Sequence, residues 1–213
     1  MLHIDHLLWA VPDLDQGIAL FERLTGVRPA PGGSHPGRGT RNALASFGNN
    51  QYIELLAPDP AQDLGALSPQ SFGATVAALP APALFTFCVA SPDMAALEAS
   101  ARRLGVPFQG PNASSRLQPD GSTLHWRLSH TEGTRFGRCA PFYIDWMDSA
   151  HPSTVVPGGL SLRDFEVLHP EAPELAAMFS GLDVDVKVRR ADRPGLRTVL
   201  DTPAGEVVLT SLG

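Results

Sequence analysis

Cysteine is scarce in this chain of 213 residues: there are two, Cys88 and Cys139, far apart and in no CxxC arrangement. That pattern excludes a disulfide-stapled scaffold and a thiolate zinc ribbon, and it fits two reduced thiols in the cytoplasm. Basic residues are outnumbered, 16 Lys and Arg against 22 Asp and Glu, for a formal net charge of −6. Broad binding to nucleic acid or to an anionic membrane surface needs a basic excess and is excluded on this ground. No apolar run has the length of a membrane-spanning helix. The opening Met1-Leu2-His3-Ile4-Asp5-His6 lacks a basic segment followed by an apolar stretch, so no secretory signal is expected. There is no serine nucleophile elbow, no HExxH helix, no GxGxxG in strand-to-helix context and no P-loop lysine. Glycine and proline, by contrast, are plentiful at 20 each, which suits a strand-rich fold with many turns.

What is present is a pattern that returns three times: an apolar strand, a proline with acidic neighbours, a helix, then further strands. The copies begin at His6-Leu7-Leu8-Trp9-Ala10-Val11-Pro12-Asp13, at Phe85-Thr86-Phe87-Cys88-Val89-Ala90-Ser91-Pro92-Asp93 and at Phe165-Glu166-Val167-Leu168-His169-Pro170-Glu171. A period of roughly 70 to 80 residues is too long for a solenoid, so each copy reads as a βαβββ unit. The expected organisation is a first module over 1–58, a linker over 59–83, a second module over 84–148, a linker over 149–160 and a third related unit over 161–213.

Within the first unit, Ile4 to Val11 reads as a strand, with Asp13 and Gln16 as an approximate capping box and Gly26 as the helix stop. Pro29 to Gly39 reads as a flexible loop, Thr40 to Phe47 and Tyr52 to Leu56 as strands, and Asn49-Asn50 as their turn. In the second, Ser91 is the expected N-cap with Pro92 at the first helical position, and Asp120-Gly121 the turn before the strand Thr123 to Ser129. Pro141 to Met147 reads as its last strand. The third unit reads as strands Ser161 to Leu168, Val184 to Arg189, Leu196 to Asp201 and Glu206 to Leu209, with a helix at Pro173 to Phe179.

The segments Ile4-Asp5-His6-Leu7-Leu8-Trp9-Ala10-Val11-Pro12-Asp13, His35-Pro36-Gly37-Arg38-Gly39-Thr40-Arg41-Asn42 and Tyr52-Ile53-Glu54-Leu55-Leu56 resemble the vicinal oxygen chelate superfamily, in its glyoxalase-like group. Leu124-His125-Trp126-Arg127-Leu128 and Pro141-Phe142-Tyr143-Ile144-Asp145-Trp146 extend the resemblance over nearly the whole chain. It implies an α+β fold of paired βαβββ modules, a curved mixed sheet around a cleft, with metal ligands on the first and last strand of each module. Carried over by position, it implies His6 and Glu54 from the first module and Asp145 from the second, with Thr86 in place of the fourth ligand.

One imidazole and two carboxylates suit a divalent Fe, Mn, Zn or Ni ion with positions left for substrate oxygens. Such an ion could stabilise an enolate or oxyanion. His125 and Arg127, two apart on a strand, share a face; the imidazole could move a proton, and the guanidinium could fork onto a substrate carboxylate or pair with Asp145 or Glu54. Arg38 and Arg41 from the glycine-rich loop, with Asn42, Tyr52 and Tyr143, complete the expected substrate contacts. Two functions follow: a metal-dependent lyase, isomerase or dioxygenase acting on a small oxygenated or anionic molecule, and a metal-free protein that sequesters a small compound in the same cleft. Thr86 favours the second, and an interaction protein assembling through its third unit is a further alternative. The odd third unit either packs on the first pair or docks on another chain, and a homodimer is expected.

Overall fold

The strand Ile4–Ala10 (β1) is buried on both faces over six of its seven residues, so a packed layer must lie on each side of it. The computed structural model, which describes residues 1–117, 123–131 and 133–211, places β1 at the middle of an eight-stranded sheet. The helix Leu14–Thr25 (α1) follows; Asp13 caps it by accepting from the Gln16 amide, and Gly26 ends it in the left-handed region at φ 75°. Three strands complete the first unit: Ala30–His35 (β2), Thr40–Gly48 (β3) and Gln51–Pro58 (β4). The segment expected to be a loop before Gly39 is therefore largely a strand, whose pairing shifts register around Gly32. Asn49 and Asn50, both at positive φ, turn β3 into β4.

The 59–83 segment holds a short 3-10 turn and the helix Phe72–Ala77 (α2). Next come Ala83–Ala90 (β5) and the helix Met94–Leu104 (α3). The N-cap of α3 is Asp93, whose side chain accepts from the Ala96 amide, and not Ser91 as expected. Ser91 is buried and its amide donates to the Ile144 carbonyl instead. Gln109–Leu117 (β6), Thr123–His130 (β7) and Phe142–Asp145 (β8) finish the sheet. The expected Asp120-Gly121 turn lies outside the described residues.

Across the sheet the order is β2-β3-β4-β1-β5-β8-β7-β6, with β1 and β5 antiparallel at the centre. The sheet curls until its outer strands β2 and β6 approach each other. It encloses a hollow on its concave side, with α1 and α3 packed on the other.

The third unit is Ser161–His169 (β9), the helix Ala172–Gly181 (α4), Lys187–Arg190 (β10), Gly195–Thr202 (β11) and Gly205–Thr210 (β12). It keeps the βαβββ element order, but its strands pair as β10-β9-β11-β12, with β12 at an edge rather than beside the first strand. This sheet packs on the convex side of the first pair, where Phe165, Leu175, Phe179 and Leu200 join Leu7, Phe87 and Val89 in one buried core. Arg163 bridges Asp201 and Glu206, and Arg189 pairs with Glu166, on the outer, solvated face. Such exposed pairs contribute little each; burial of the aromatic residues holds this unit in place. Among the described residues no helix is long and apolar enough to cross a membrane.

Candidate functional site

The concave hollow, of about 780 Å³, has two unlike walls. Strands of the second half line it with Leu124, Trp126, Leu128, Phe142, Ile144 and Trp146, all apolar or aromatic. The first half contributes His6, His35, Asn42, Tyr52 and Glu54, and Arg38 and Arg116 stand near the two sheet edges. The carboxylate and two of the three imidazoles thus come from the first half, while the second adds Ser114, Ser115, Arg116 and His130.

His6 lies at its floor, 3% exposed, with its ring stacked on Tyr52 at 4.5 Å between centroids. A register shift in the β1–β5 pairing between Ile4 and His6 leaves Asp5 as the extra residue, and the bulge turns its carboxylate toward the His6 ring. Asp5 Oδ1 lies 2.6 Å from His6 Nδ1, while Oδ2 accepts from Trp146 Nε1 at 2.9 Å and from His151 Nε2 at 3.2 Å. Burial pushes the Asp5 carboxyl up, but the hydrogen bonds from His151 and His6 and their charges outweigh it and hold it at about 2. An ionised carboxylate only accepts, so Nδ1 of His6 carries a hydrogen and Nε2 is turned into the hollow.

Facing Nε2, at 3.5 Å, is Oε2 of Glu54. The other Glu54 oxygen accepts from Asn42 Nδ2 at 2.7 Å. Asn42 is the hub of this wall: the same Nδ2 reaches His35 Nε2 at 3.2 Å, and its Oδ1 accepts from Arg116 Nη1 at 3.2 Å. His35 in turn has Nδ1 2.9 Å from Thr40 Oγ1. Burial lowers the pKa of His35, with Glu54 opposing, so the ring is the neutral Nδ1–H tautomer that accepts from Asn42. Burial likewise lowers Arg116, whose buried Nε has no hydrogen-bond partner. Its guanidinium therefore retains donor capacity for a ligand oxygen.

Gly32, the extra residue in the β2–β3 pairing, makes this arrangement possible. A Cβ there would lie 2.2 Å from Asn42 Oδ1 and 2.4 Å from Arg116 Nη1. Gly32→Ala should therefore break the Asn42–Arg116 hydrogen bond and lower folding stability by about 1 to 3 kcal/mol. Chemical denaturation checks this; unchanged stability would show that the pair tolerates a Cβ at this position.

The expected site residues divide by face. His6, Glu54, Asn42, Tyr52 and Arg38 come together in the hollow, Arg38 donating to Ser114 Oγ at 3.3 Å. Asp145 does not meet them. The central β1–β5 pair is Leu7 with Phe87, which makes Thr86 the counterpart of His6; Glu54 lies beside Leu8 on β4, and Phe142 lies beside Cys88 on β8. The counterpart of Glu54 is thus Phe142. Asp145, three residues on, falls on the opposite face, where its carboxylate accepts from the Met147 amide. The same parity buries Tyr143 in the convex core beside Phe108 instead of the hollow. His125 and Arg127 are exposed on the outer face of β7, while Leu124, Trp126 and Leu128 point inward. Arg41 turns outward too, 3.8 Å from Asp15 of α1. Thr86 donates its hydroxyl to the Arg138 carbonyl. His35, Asp5, Arg116 and His151 were not expected at the site, although His35 lies in the quoted glycine-rich segment.

The donors at hand can be tested against a divalent ion. Among the described residues, one trio of His, Cys, Asp or Glu has ligand atoms all within 4.8 Å of each other: Asp5, His6 and Cys88. Asp5 is already saturated by three N–H groups, and burial, then the Asp5 and Glu54 carboxylates, raise the Cys88 thiol well above its ordinary pKa. Neither Asp5 nor Cys88 lines the hollow. His6 Nε2 and Glu54 Oε2, at 3.5 Å, do fit two neighbouring positions on one ion with bonds of about 2.1 Å. The remaining positions would fall to ligand oxygens or water.

A family model described as a glyoxalase-like domain matches residues 4–182. No curated protein matches. Among solved structures, a hypothetical protein from Staphylococcus aureus is similar at 18% identity, with a TM-score of 0.69 over 99% of this chain and 85% of the other. Methylmalonyl-CoA epimerase from Mycobacterium tuberculosis aligns at 22% identity and a TM-score of 0.43, over 66% of this chain and 84% of that one. A Streptomyces coelicolor methylmalonyl-CoA epimerase variant aligns at 18% and 0.46, over 67% and 95%. At 18% identity the likeness to the Staphylococcus aureus protein is one of fold.

Proposed function

Because this chain belongs to the glyoxalase-like domain family, whose fold encloses a hollow of this kind, we propose that it is an enzyme of lyase or isomerase type. It moves a proton on a small, oxygenated, anionic molecule. The observation that carries this reading is the His6–Glu54 pair: an imidazole nitrogen and a carboxylate oxygen facing each other at 3.5 Å, each held from behind, on the floor of a hollow. Two such groups are poised to share and transfer a proton. Asp5 fixes the His6 tautomer, as a carboxylate behind a catalytic imidazole does, and Asn42 leaves only one Glu54 oxygen available. Arg116 and Arg38 provide the charge that would hold a substrate carboxylate or enolate oxygen. A divalent ion bound between His6 Nε2 and Glu54 Oε2 would polarise a substrate carbonyl there.

The test is exchange in deuterated water. With a panel of small 2-oxo and 2-hydroxy carboxylates, at least one C–H beside a carbonyl should exchange about a hundredfold faster with protein present. Proton NMR reads the loss of signal, with and without added Mn, Co, Ni or Zn. Binding of panel members without exchange under any of these conditions would overturn the reading.

The apolar second wall favours an alternative, a sequestering protein for a small aromatic compound. In that case Glu54→Gln would leave ligand affinity intact, and chelator would not change thermal stabilisation by the ligand.

A further inference from the structure

A second cavity, of about 530 Å³, adjoins the first. Phe72, His130 and Phe142 line both. They form one aromatic cluster: Phe72 meets His130 and Phe142 edge-on, and His130 stacks on Phe142. These three rings are therefore shared by the linings of the two hollows.

The second cavity has its own polar end. Arg138 lines it, with its guanidinium carbon 4.1 Å from the Phe85 ring centroid. Stacking on a ring uses the face of a guanidinium and leaves its edge N–H groups free to donate. Among the described residues no carboxylate pairs with Arg138, whereas Arg28, Arg102, Arg135, Arg163 and Arg189 each have an acidic partner. Thr134 lines the same cavity, and its buried hydroxyl has no hydrogen-bond partner. Gly133 and Gly137, both at positive φ, carry the backbone around this end without side chains. A cation lining this space, with an unsatisfied hydroxyl buried just under the same lining, is complementary to an anion.

We propose that this cavity is a second ligand subsite, in which Arg138 and Thr134 take a terminal carboxylate or phosphate of a molecule whose other end lies at His6 and Glu54. The inference rests on the functional reading above and narrows its substrate class to elongated molecules, anionic at the far end and able to pass the ring cluster of Phe72, His130 and Phe142. A monocarboxylate of the same length would lose the far contact. Neither cavity alone imposes that requirement.

Calorimetric titration of the full chain with α,ω-dicarboxylates of four to eight carbons, matched monocarboxylates and inorganic phosphate tests it. One dicarboxylate length should bind about tenfold to hundredfold tighter than its monocarboxylate, the worth of a charge-assisted contact. Arg138→Gln should erase that difference and leave the monocarboxylate unchanged. Thr134→Val, which preserves charge and volume, should reduce it severalfold and guards against a folding artefact. Phosphate binding abolished by Arg138→Gln would mark a phosphate end; dicarboxylate discrimination without phosphate binding would mark a carboxylate end. Equal affinity of mono- and dicarboxylates for the unaltered protein, or a preference that survives Arg138→Gln, would overturn the subsite. An Arg138-dependent preference with no deuterium exchange would leave the subsite standing and remove only the catalytic reading.

Discussion

Glu54→Gln is expected to lower turnover in the proposed proton transfer by about two to four orders of magnitude, and His6→Ala to do the same, with both proteins folded. The glutamine amide occupies the same volume and can still accept from Asn42 Nδ2 through its oxygen, so the wall of the hollow persists. What is lost is a group that can hold a proton opposite His6 Nε2. If the two side chains act on one proton as proposed, the double variant should be no slower than the worse single variant. Steady-state kinetics on whichever carboxylate undergoes deuterium exchange checks this. Independent, multiplying losses would show that His6 and Glu54 do not act as a unit.

Asp5→Asn is expected to cost about 3 kcal/mol or more of folding stability, because three buried N–H groups lose an ionised acceptor. For a chain of this size that corresponds to a fall in Tm of roughly 10 °C, readable by calorimetry. The same carboxylate makes a defined contribution to acid sensitivity. Its pKa is lowered on folding, from 3.8 to about 2, so the folded state binds its proton less readily than the unfolded chain does. The resulting stability, roughly 2 kcal/mol, is present in full above pH 4 and is lost as pH falls from about 4 to about 2. Acid unfolding of Asp5→Asn should lack this component. Superimposable acid profiles, after correction for overall stability, would show that Asp5 is not held ionised.

Much of the fold can be read from local residues. Asp13 before an amphipathic run and Gly26 after it announce α1, and Asn49-Asn50 announces a hairpin, because capping and positive φ are matters of a few neighbouring atoms. At α3 two caps compete, and Asp93 prevails since Ser91 is drawn into the sheet by its bond to Ile144. The strand order of the third unit has no local signature, since it depends on which edge meets which after collapse.

The lining of the hollow was legible where chemistry and parity agreed, as at His6, Asn42 and Glu54. It was not legible where it depended on register. Matching Tyr52-Ile53-Glu54 to Tyr143-Ile144-Asp145 by letters alone misplaces the second module by three residues, and an odd slip exchanges the two faces of a strand. Arg116 stands 74 residues from Asn42 along the chain, and His151 stands 146 from Asp5. Only the curling of the sheet brings these partners together.

That curling stops short of closure for a reason visible on its two rims. β2 carries Pro31 and an irregular step at Gly32; β6 carries Pro111 and an irregular step between Gln109 and Asn112. A proline has no amide hydrogen to offer, and a bulge throws successive amides out of line, so the rims are poorly suited to lacing together by backbone bonds. Side chains span the gap instead, Arg116 to Asn42 and Arg38 to Ser114. Arg116 and Arg38 therefore stand along a rim of the hollow that no strand pairing seals.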